Sequence, residues 1–323
     1  MNMAEAEALF GRMLDGEMAD DEIREVLVTL ADKGETAEEI AGAAKAMRAR
    51  LIPVAAPAHA VDVCGTGGDG QHSLNISTAV AIVLAACEVP VAKHGNRAAS
   101  SKAGAADTLE ALGIDLERGG AMAEALLHDL GIAFLFAQAH HPAMKSVMPI
   151  RKALGRRTIF NLLGPLTNPG GVSAQLVGIA SPDMVTTYRD AMQLLGTTRA
   201  MIVSGEEGLD EISIAGPTRV ATIGIEGIGE TVTPEDAGLT RHKLEAIRGG
   251  DPAYNADALR RLLAGEPGAY RDAVLLNAAG ALIVAGEVSD WQAGVEEAAE
   301  AIDKGLAKAL LECWVAATNG AAA

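Results

Sequence analysis

Aromatic residues are scarce: two Trp, three Tyr and four Phe in 323 residues. A core in a chain of this length must therefore be filled by small and aliphatic side chains. Cysteine is scarce too. Cys64, Cys87 and Cys313 are odd in number, far apart and form no CxxC pair, which argues against a disulfide framework or a zinc knuckle. No apolar run reaches membrane-spanning length, because Gly, Lys or Asp interrupts each one. The first residues, MNMAEAEALFGRMLDGE, are acidic and amphipathic and do not fit a signal peptide. Cations are in the minority, with 26 Lys and Arg against 43 Asp and Glu and a net charge of −17. That balance argues against broad nucleic-acid binding and against adhesion to anionic lipid. A soluble cytoplasmic protein with neither partner is expected. A small polyanion can still bind where basic groups and metal ions concentrate in one cleft.

Residues 3 to about 50 read as three helices. AEAEALFGRMLDG has apolar residues at helical spacing and stops at Gly16. DDEIREVLVTLADKG has an acidic first turn and stops at Gly34. Thr36, with Glu39 three residues later, writes a capping box before the third. LIPVAAPAHA reads as a linker. From Val61, β-branched runs (VDV, VPVAKHG, IAFLFAQ, AQLVGIA, RAMIVSG, RVATIGI) alternate with Ala-rich helical stretches (TAVAIVLAACE, SSKAGAADTLEALG). HPAMK and TIFNLLG read as helices crossing the sheet. ADALRRLLAGE, YRDAVLLNAAGALIVAG and a run from Ser289 to about Thr318 close the chain as helix. The pattern predicts an α/β fold: a small all-helical domain, then a larger domain with a central, mainly parallel sheet flanked by helices. In such sheets ligands sit at the carboxyl ends of the strands.

Four loops lie there. Gly65-Thr66-Gly67-Gly68-Asp69-Gly70 follows the first strand, and Asn75, Ser77 and Thr78 open the next helix. Glycines let several N–H groups turn toward one anion, and a helix start adds unpaired N–H groups. The loop is read as neither Walker A nor the dinucleotide fingerprint. On its own it leaves an ordinary turn and a phosphate cradle equally open. Lys93-His94-Gly95-Asn96-Arg97-Ala98-Ala99-Ser100-Ser101 repeats the design and adds two cations, and two such loops suggest more than one phosphate group. Asp210-Glu211 is an ordinary solvated turn unless it faces polyphosphate, where it would hold magnesium through oxygen ligands. Arg151 to Arg157 (RKALGRR) is either a basic surface face or a grip for a carboxylate. His140-His141 is read as packing or ring contact rather than a metal site, and Cys64 as a buried apolar group.

Together GTGGD (65–69), NIST (75–78), KHGNRAASSKAGAADTLEALG (93–113), HHPAMKSVMPIRKALGRRTIFNLLGPLTNP (140–169) and GLDE (208–211) resemble the anthranilate phosphoribosyltransferase family, of the nucleoside phosphorylase/phosphoribosyltransferase superfamily. The resemblance covers nearly the whole chain. It implies transfer of the phosphoribosyl group of 5-phosphoribosyl 1-diphosphate to the amino group of anthranilate, with Mg2+, in tryptophan biosynthesis. It implies a helical domain of residues 1–60 completed by an insertion near 142–172, an α/β domain over 61–323, and a homodimer paired through the helical domains. By position, the sugar diphosphate would be bound by Gly65, Gly68, Asp69, Ser73, Asn75, Ile76, Ser77, Thr78, Lys93, His94, Gly95, Asn96, Arg97, Ala98, Ala99, Ser100 and Ser101. Anthranilate would meet Gly65, Asn96 and Arg151, with His94 as a ring contact. Ser77, Asp210 and Glu211 would hold the metal. One departure is visible: Ser73-Leu74 stands where the family has Thr-Phe. No general base is assigned, because an aniline-type nitrogen is neutral at pH 7. A nucleoside phosphorylase and a non-enzymatic nucleic-acid-binding relative are the competing readings. The GTGGD and NIST pairing and LLGPLTNP weigh against the first, and the acidic balance with Asp210, Glu211 and Arg151 against the second.

Overall fold

The computed structural model describes residues 1–98 and 102–320. Three helices come first, α1 (Met3–Leu14), α2 (Asp20–Lys33) and α3 (Ala37–Arg48). The Thr36 capping box forms as expected. Its Glu39 is fully buried. Burial pushes that carboxyl up, but Lys33 Nζ at 2.6 Å and the Thr36 N–H at 3.0 Å outweigh burial and hold it at about 2. A depressed carboxyl adds stability above its unfolded pKa, and that stability is lost as pH falls through the folded value. Glu39→Gln should therefore cost about 2 kcal/mol at pH 7, with the exposed Lys33 discounted. More than half of the difference from the parent should vanish by pH 3 in urea titrations, and a pH-independent cost would contradict the ion pair.

The α/β part begins with β1 (Val61–Gly65), α4 (Ile76–Ala86) and β2 (Val91–Gly95). Helices α5 (Ala105–Leu112), α6 (Leu116–Ala121) and α7 (Ala123–Asp129) lead to β3 (Ile132–Phe136) and the short α8 (Ala137–His140). HPAMK and TIFNLLG do not cross the sheet. They form single 3₁₀ turns at Pro142–Ser146 and Ile159–Asn161 around α9 (Met148–Leu154), with a third turn at Pro165–Thr167. Then come β4 (Ala174–Gly178), α10 (Val185–Leu194), β5 (Arg199–Gly205), β6 (Thr218–Ile223) and β7 (Thr231–Val232). The chain closes on α11 (Pro252–Leu263), α12 (Ala269–Ala285), α13 (Trp291–Asp303) and α14 (Leu306–Thr318). The run after Ser289 is thus broken in two, because Gly305 takes a left-handed φ of 74°.

The strands order as β3-β2-β1-β4-β5-β6-β7. The first five are parallel, and β6 and β7 join antiparallel. Chain direction across the sheet reverses between β1 and β4, the switch point where such folds bind ligands. Both faces are covered. Leu176, Met201 and Val203 pack toward α4 and α11–α14, whereas their neighbours Val177, Ala200 and Ile202 pack toward α10 and the N-terminal helices. This period-2 division explains why β4 and β5 read as continuous apolar runs. Val147, Ile150, Ile159, Phe160 and Leu163, all far along the chain, share that second cluster with α1–α3.

Candidate active site

The loop after β1 turns on Gly67 and Gly68, whose φ values of 69° and 72° no side-chain-bearing residue adopts cheaply. Its spacing does meet GxGxxG to the letter, contrary to the sequence reading. The helix, however, starts only at Ile76, beyond the pattern, so the dinucleotide arrangement is not built. Asp69 Oδ1 accepts the Gln71 N–H at 3.1 Å and braces the loop. Its Oδ2 is buried without a protein partner, as are Thr66 Oγ1 and Thr78 Oγ1. Buried polar atoms are normally satisfied, and three orphans gathered on one loop and helix start point to a polar ligand.

Asp210 and Glu211 arrive from the turn after β5, half-buried beside this loop. Asp210 Oδ2 accepts the Gly67 N–H at 2.6 Å, and Glu211 Oε1 accepts the Ser77 N–H at 3.2 Å. Burial raises both carboxyls above the usual range. Asp69 adds to this at Asp210, and Asp210 at Glu211. Lys93 is the opposing charge, 2% exposed, with Nζ donating to Val63 O at 2.6 Å and Ser77 Oγ at 3.2 Å. Behind it, Asp62 is wholly buried on β1. Burial raises its carboxyl, against the pull of Lys93 and of the Asn168 and His94 N–H donors.

Several expected ligands are structural here. Asn75 Oδ1 accepts Thr108 Oγ1 at 2.6 Å and Asn255 Nδ2 at 2.8 Å, while its Nδ2 donates to Ala103 O at 3.3 Å. It ties the two loops together rather than reaching out. The Ile76 side chain is buried and its N–H goes to Leu74 O. Ser73 pairs with Arg248, and Leu74 is buried, so the Ser-Leu departure keeps an apolar anchor. Arg97 is not a free cation. It forks onto Glu110, adds Asp107 and lies 5.5 Å over the Phe136 ring. Those carboxylates raise its pKa. Asp107, which sequence reasoning missed, also takes the Ala98 and Gly104 N–H groups and so shapes the loop. Gly104 followed three residues on by an acid at a helix start was the available signal. Gly95 packs against Phe134, where a Cβ would lie 2.6 Å from the ring. Asn96 is exposed and accepts from Arg97 N at 2.8 Å and Gln138 Nε2 at 3.4 Å. Ala99, Ser100 and Ser101 lie outside the described residues.

His94 is not open to a substrate ring. It is 5% exposed, with Nδ1 on Gly164 O at 2.9 Å and Nε2 on His141 Nε2 at 3.2 Å. Burial, then the neighbouring His141, holds its pKa down at about 3. His140 Nδ1 bonds Ile52 O at 2.9 Å. Cys64 is buried as expected, its Sγ 3.4 Å from Asp62 Oδ2. Arg151 sits half-buried on α9, its guanidinium 5.3 Å over the Phe160 ring, and pairs with no carboxylate among the described residues. Burial lowers its pKa.

Among the described residues no cluster of three or more His, Cys, Asp or Glu is set to hold a metal alone. The Asp210–Glu211 pair and the orphan Asp69 oxygen nevertheless suit a hard cation that completes its shell with phosphate oxygens and water. No helix among the described residues is long and apolar enough to cross a membrane.

Comparisons with known proteins agree on what the chain is similar to. The pattern of the glycosyl transferase family, a/b domain, matches residues 57–308, and that of the family's helical bundle domain matches residues 2–51. An anthranilate phosphoribosyltransferase of Novosphingobium aromaticivorans is 65% identical over 97% of this chain and 96% of its own. The crystal structure of the Thermus thermophilus anthranilate phosphoribosyltransferase superposes with a TM-score of 0.92 at 44% identity, over 99% of this chain and 96% of that one. The Saccharomyces cerevisiae enzyme, solved with PRPP and Mg, gives 0.89 at 29% identity over 98% and 93% of the two chains.

Proposed function

We infer the residue roles from one premise: the chain belongs to the anthranilate phosphoribosyltransferase family. It joins the amino nitrogen of anthranilate to the anomeric carbon of 5-phosphoribosyl 1-diphosphate and releases diphosphate, in tryptophan biosynthesis. The nitrogen is a nucleophile as it stands, so the barrier lies in the departure of diphosphate and the cationic character this leaves on the ribose. Orientation and charge stabilisation are the effects that count.

The diphosphate lies over the loop of residues 65–70 and the start of α4. The observation that carries this assignment is the trio of orphan buried oxygens there, on Thr66, Asp69 and Thr78. The Gly67 and Ser77 N–H groups, held by carboxylates in this structure, are the donors a phosphate takes. Lys93 places a buried positive charge beside Ser77, where the leaving group gathers negative charge. Magnesium is the ion the Asp210–Glu211 pair and Ser77 hold; when bound, it neutralises charge on the departing diphosphate. Asp62 supplies the charge behind Lys93, and Asp107 with Asn75 holds the two loops in register. No residue acts as general base, and the nitrogen proton passes to water or diphosphate.

Arg151 takes the anthranilate carboxylate. A half-buried guanidinium without a carboxylate partner, 5.3 Å from the centre of the Phe160 ring, is held for a planar anion. Residues 1–60 and 142–172 form one helical domain on this reading, supported by the apolar cluster they share. Pairing of two copies through that domain and a cytoplasmic location follow the family resemblance. The test is loss of anthranilate fluorescence with purified protein, sugar diphosphate and magnesium. Arg151→Ala should raise KM for anthranilate about thirtyfold and KM for the sugar diphosphate less than threefold. Equal rises in both constants would remove the carboxylate role.

A further inference from the structure

The side chains gathered around the glycine loop are short of positive charge for a diphosphate. Lys93 is buried against Val63 O and Ser77 Oγ, and Arg97 is taken by Glu110 and Asp107. Asp69, Asp210 and Glu211 add acid. One further arginine reaches the loop on residues 247–250, the segment just ahead of α11.

That segment is bonded to the loop along its length. Leu74 N–H donates to Ile247 O and Gly249 N–H to His72 O, each at 2.8 Å, so Ser73 and Arg248 stand opposite each other in an antiparallel bridge. Bonds that flank a pair in this way, with none between its own members, mark the non-hydrogen-bonded type. Its Cα atoms approach to about 4.5 Å and its side chains project on one side. The next pair, Leu74 and Ile247, projects on the other side, and both are buried, at 5% and 0% exposure. Ser73 and Arg248 therefore share the face turned away from the core. A Cβ on Gly249 would lie 2.8 Å from Ser73 O, so the close approach needs glycine. Gly250 N–H meets Asn255 Oδ1 at 2.7 Å, and Asn255 Nδ2 reaches Asn75 Oδ1 at 2.8 Å, which fastens segment and loop to α11. His72, whose carbonyl takes the Gly249 N–H, has a left-handed φ of 53°. Strain of this kind persists where the surroundings over-determine it, and it gathers at ligand sites.

Arg248 is exposed and makes no side-chain hydrogen bond or ion pair among the described residues. Acidic partners are plentiful in this chain: Arg241 takes Glu235, Arg219 takes Glu206 and Asp183, and Arg261 takes Asp257 and Glu266. Glu245, one turn before Arg248, meets it only through the main chain, where Arg248 N–H donates to Glu245 O at 3.3 Å. A guanidinium beside a serine hydroxyl, on the open face of a loop suited to phosphate and engaged by no carboxylate, is matched to phosphate oxygens.

We propose that Arg248 is a further binding residue for the sugar diphosphate: beside Ser73 it takes oxygens of the diphosphate group from the open face of the glycine loop, and it supports that group as negative charge collects on it during departure. The inference rests on the assignment of the diphosphate to residues 65–70 and the start of α4. Anthranilate has no part in it.

The experiment uses the full chain and the anthranilate fluorescence assay, with a thermal melt for every variant. The main chain of Arg248 makes the bridge, so Arg248→Gln should keep the parental melting temperature. It should raise KM for the sugar diphosphate about tenfold and leave KM for anthranilate within about twofold. Inorganic diphosphate, added as a competitive inhibitor against the sugar diphosphate, should lose potency by a similar factor of about ten. Arg248→Lys, which returns the charge without the fork, should bring both constants back to within about threefold of the parent. Added potassium chloride should raise KM for the sugar diphosphate more steeply in the parent than in Arg248→Gln, because an exposed cation is screened by salt. Equal rises in both Michaelis constants, undiminished inhibition by diphosphate, no recovery with Lys, or identical salt responses would each overturn the proposal. Thr78→Val, which removes one orphan hydroxyl and keeps its shape, tests the loop itself. If it leaves KM for the sugar diphosphate and inhibition by diphosphate unchanged, the loop assignment falls. If it weakens both while Arg248→Gln is silent, only the role of Arg248 falls.

Discussion

Asp210→Asn combined with Glu211→Gln is expected to lower kcat about a thousandfold at millimolar magnesium, on the order of 4 kcal/mol in the barrier, while the melting temperature holds or rises. The direction of the second effect follows from the charges. Burial, Asp69 and the pair's own repulsion all disfavour ionised Asp210 and Glu211. The amide oxygens of Asn and Gln still accept the Gly67 and Ser77 N–H groups, so neutralising the pair relieves strain without orphaning a donor. A site that gives up stability to keep two carboxylates together holds them for a counter-charge that arrives with the substrate. Chelating the metal from the parent enzyme should reproduce the loss of activity. Near-parental turnover of the double variant would remove the metal assignment. A large fall in melting temperature would make the pair structural instead.

The strands that carry these groups were legible because β1, β2, β4 and β5 are buried on both faces and read as short apolar runs. Loops at their carboxyl ends then follow from the alternation with helices. Asp210-Glu211 and the glycine loop were visible as types, but their contact crosses 143 residues of sequence. Asn75 looked like a phosphate ligand because it stands at a helix start. Only the fold brings Asn255, 180 residues on, and Thr108 to its amide. Arg97 likewise counted as a free cation until Glu110, in the second turn of α5, came round to it. The ring contacts of His94 were illegible for a related reason: its partners are a backbone carbonyl and a histidine from an insertion that reads as ordinary crossover helix. Helix α10 and strand β7 left weak signals, a short amphipathic run and two residues.

Gly178→Ala should lower kcat about a hundredfold and cost at least about 2 kcal/mol of stability. Gly178 ends β4, in register with Gly65 on β1 and Val203 on β5. A Cβ there would lie 1.6 Å from the carbonyl oxygen of Asp210, and one on Gly65 would lie 2.3 Å from Asp210 Oδ2. The two glycines face each other across adjacent strands, and together they make the slot through which residue 210 passes. Their consequences differ because the obstructing atoms differ. At Gly65 the severe clash is with the end of a side chain, which can swing aside, while the Asp210 carbonyl oxygen at 3.1 Å needs to give only slightly, so Gly65→Ala should displace the carboxylate and weaken the response to magnesium with little loss of stability. At Gly178 the clash is with backbone, which has no rotamer to change. The 210–211 peptide must then leave the sheet edge and take both carboxylates with it. A magnesium titration of activity beside a thermal melt distinguishes the two variants. If Gly178→Ala retains parental activity and parental magnesium response, the turn yields freely, and something other than this slot places the acidic pair.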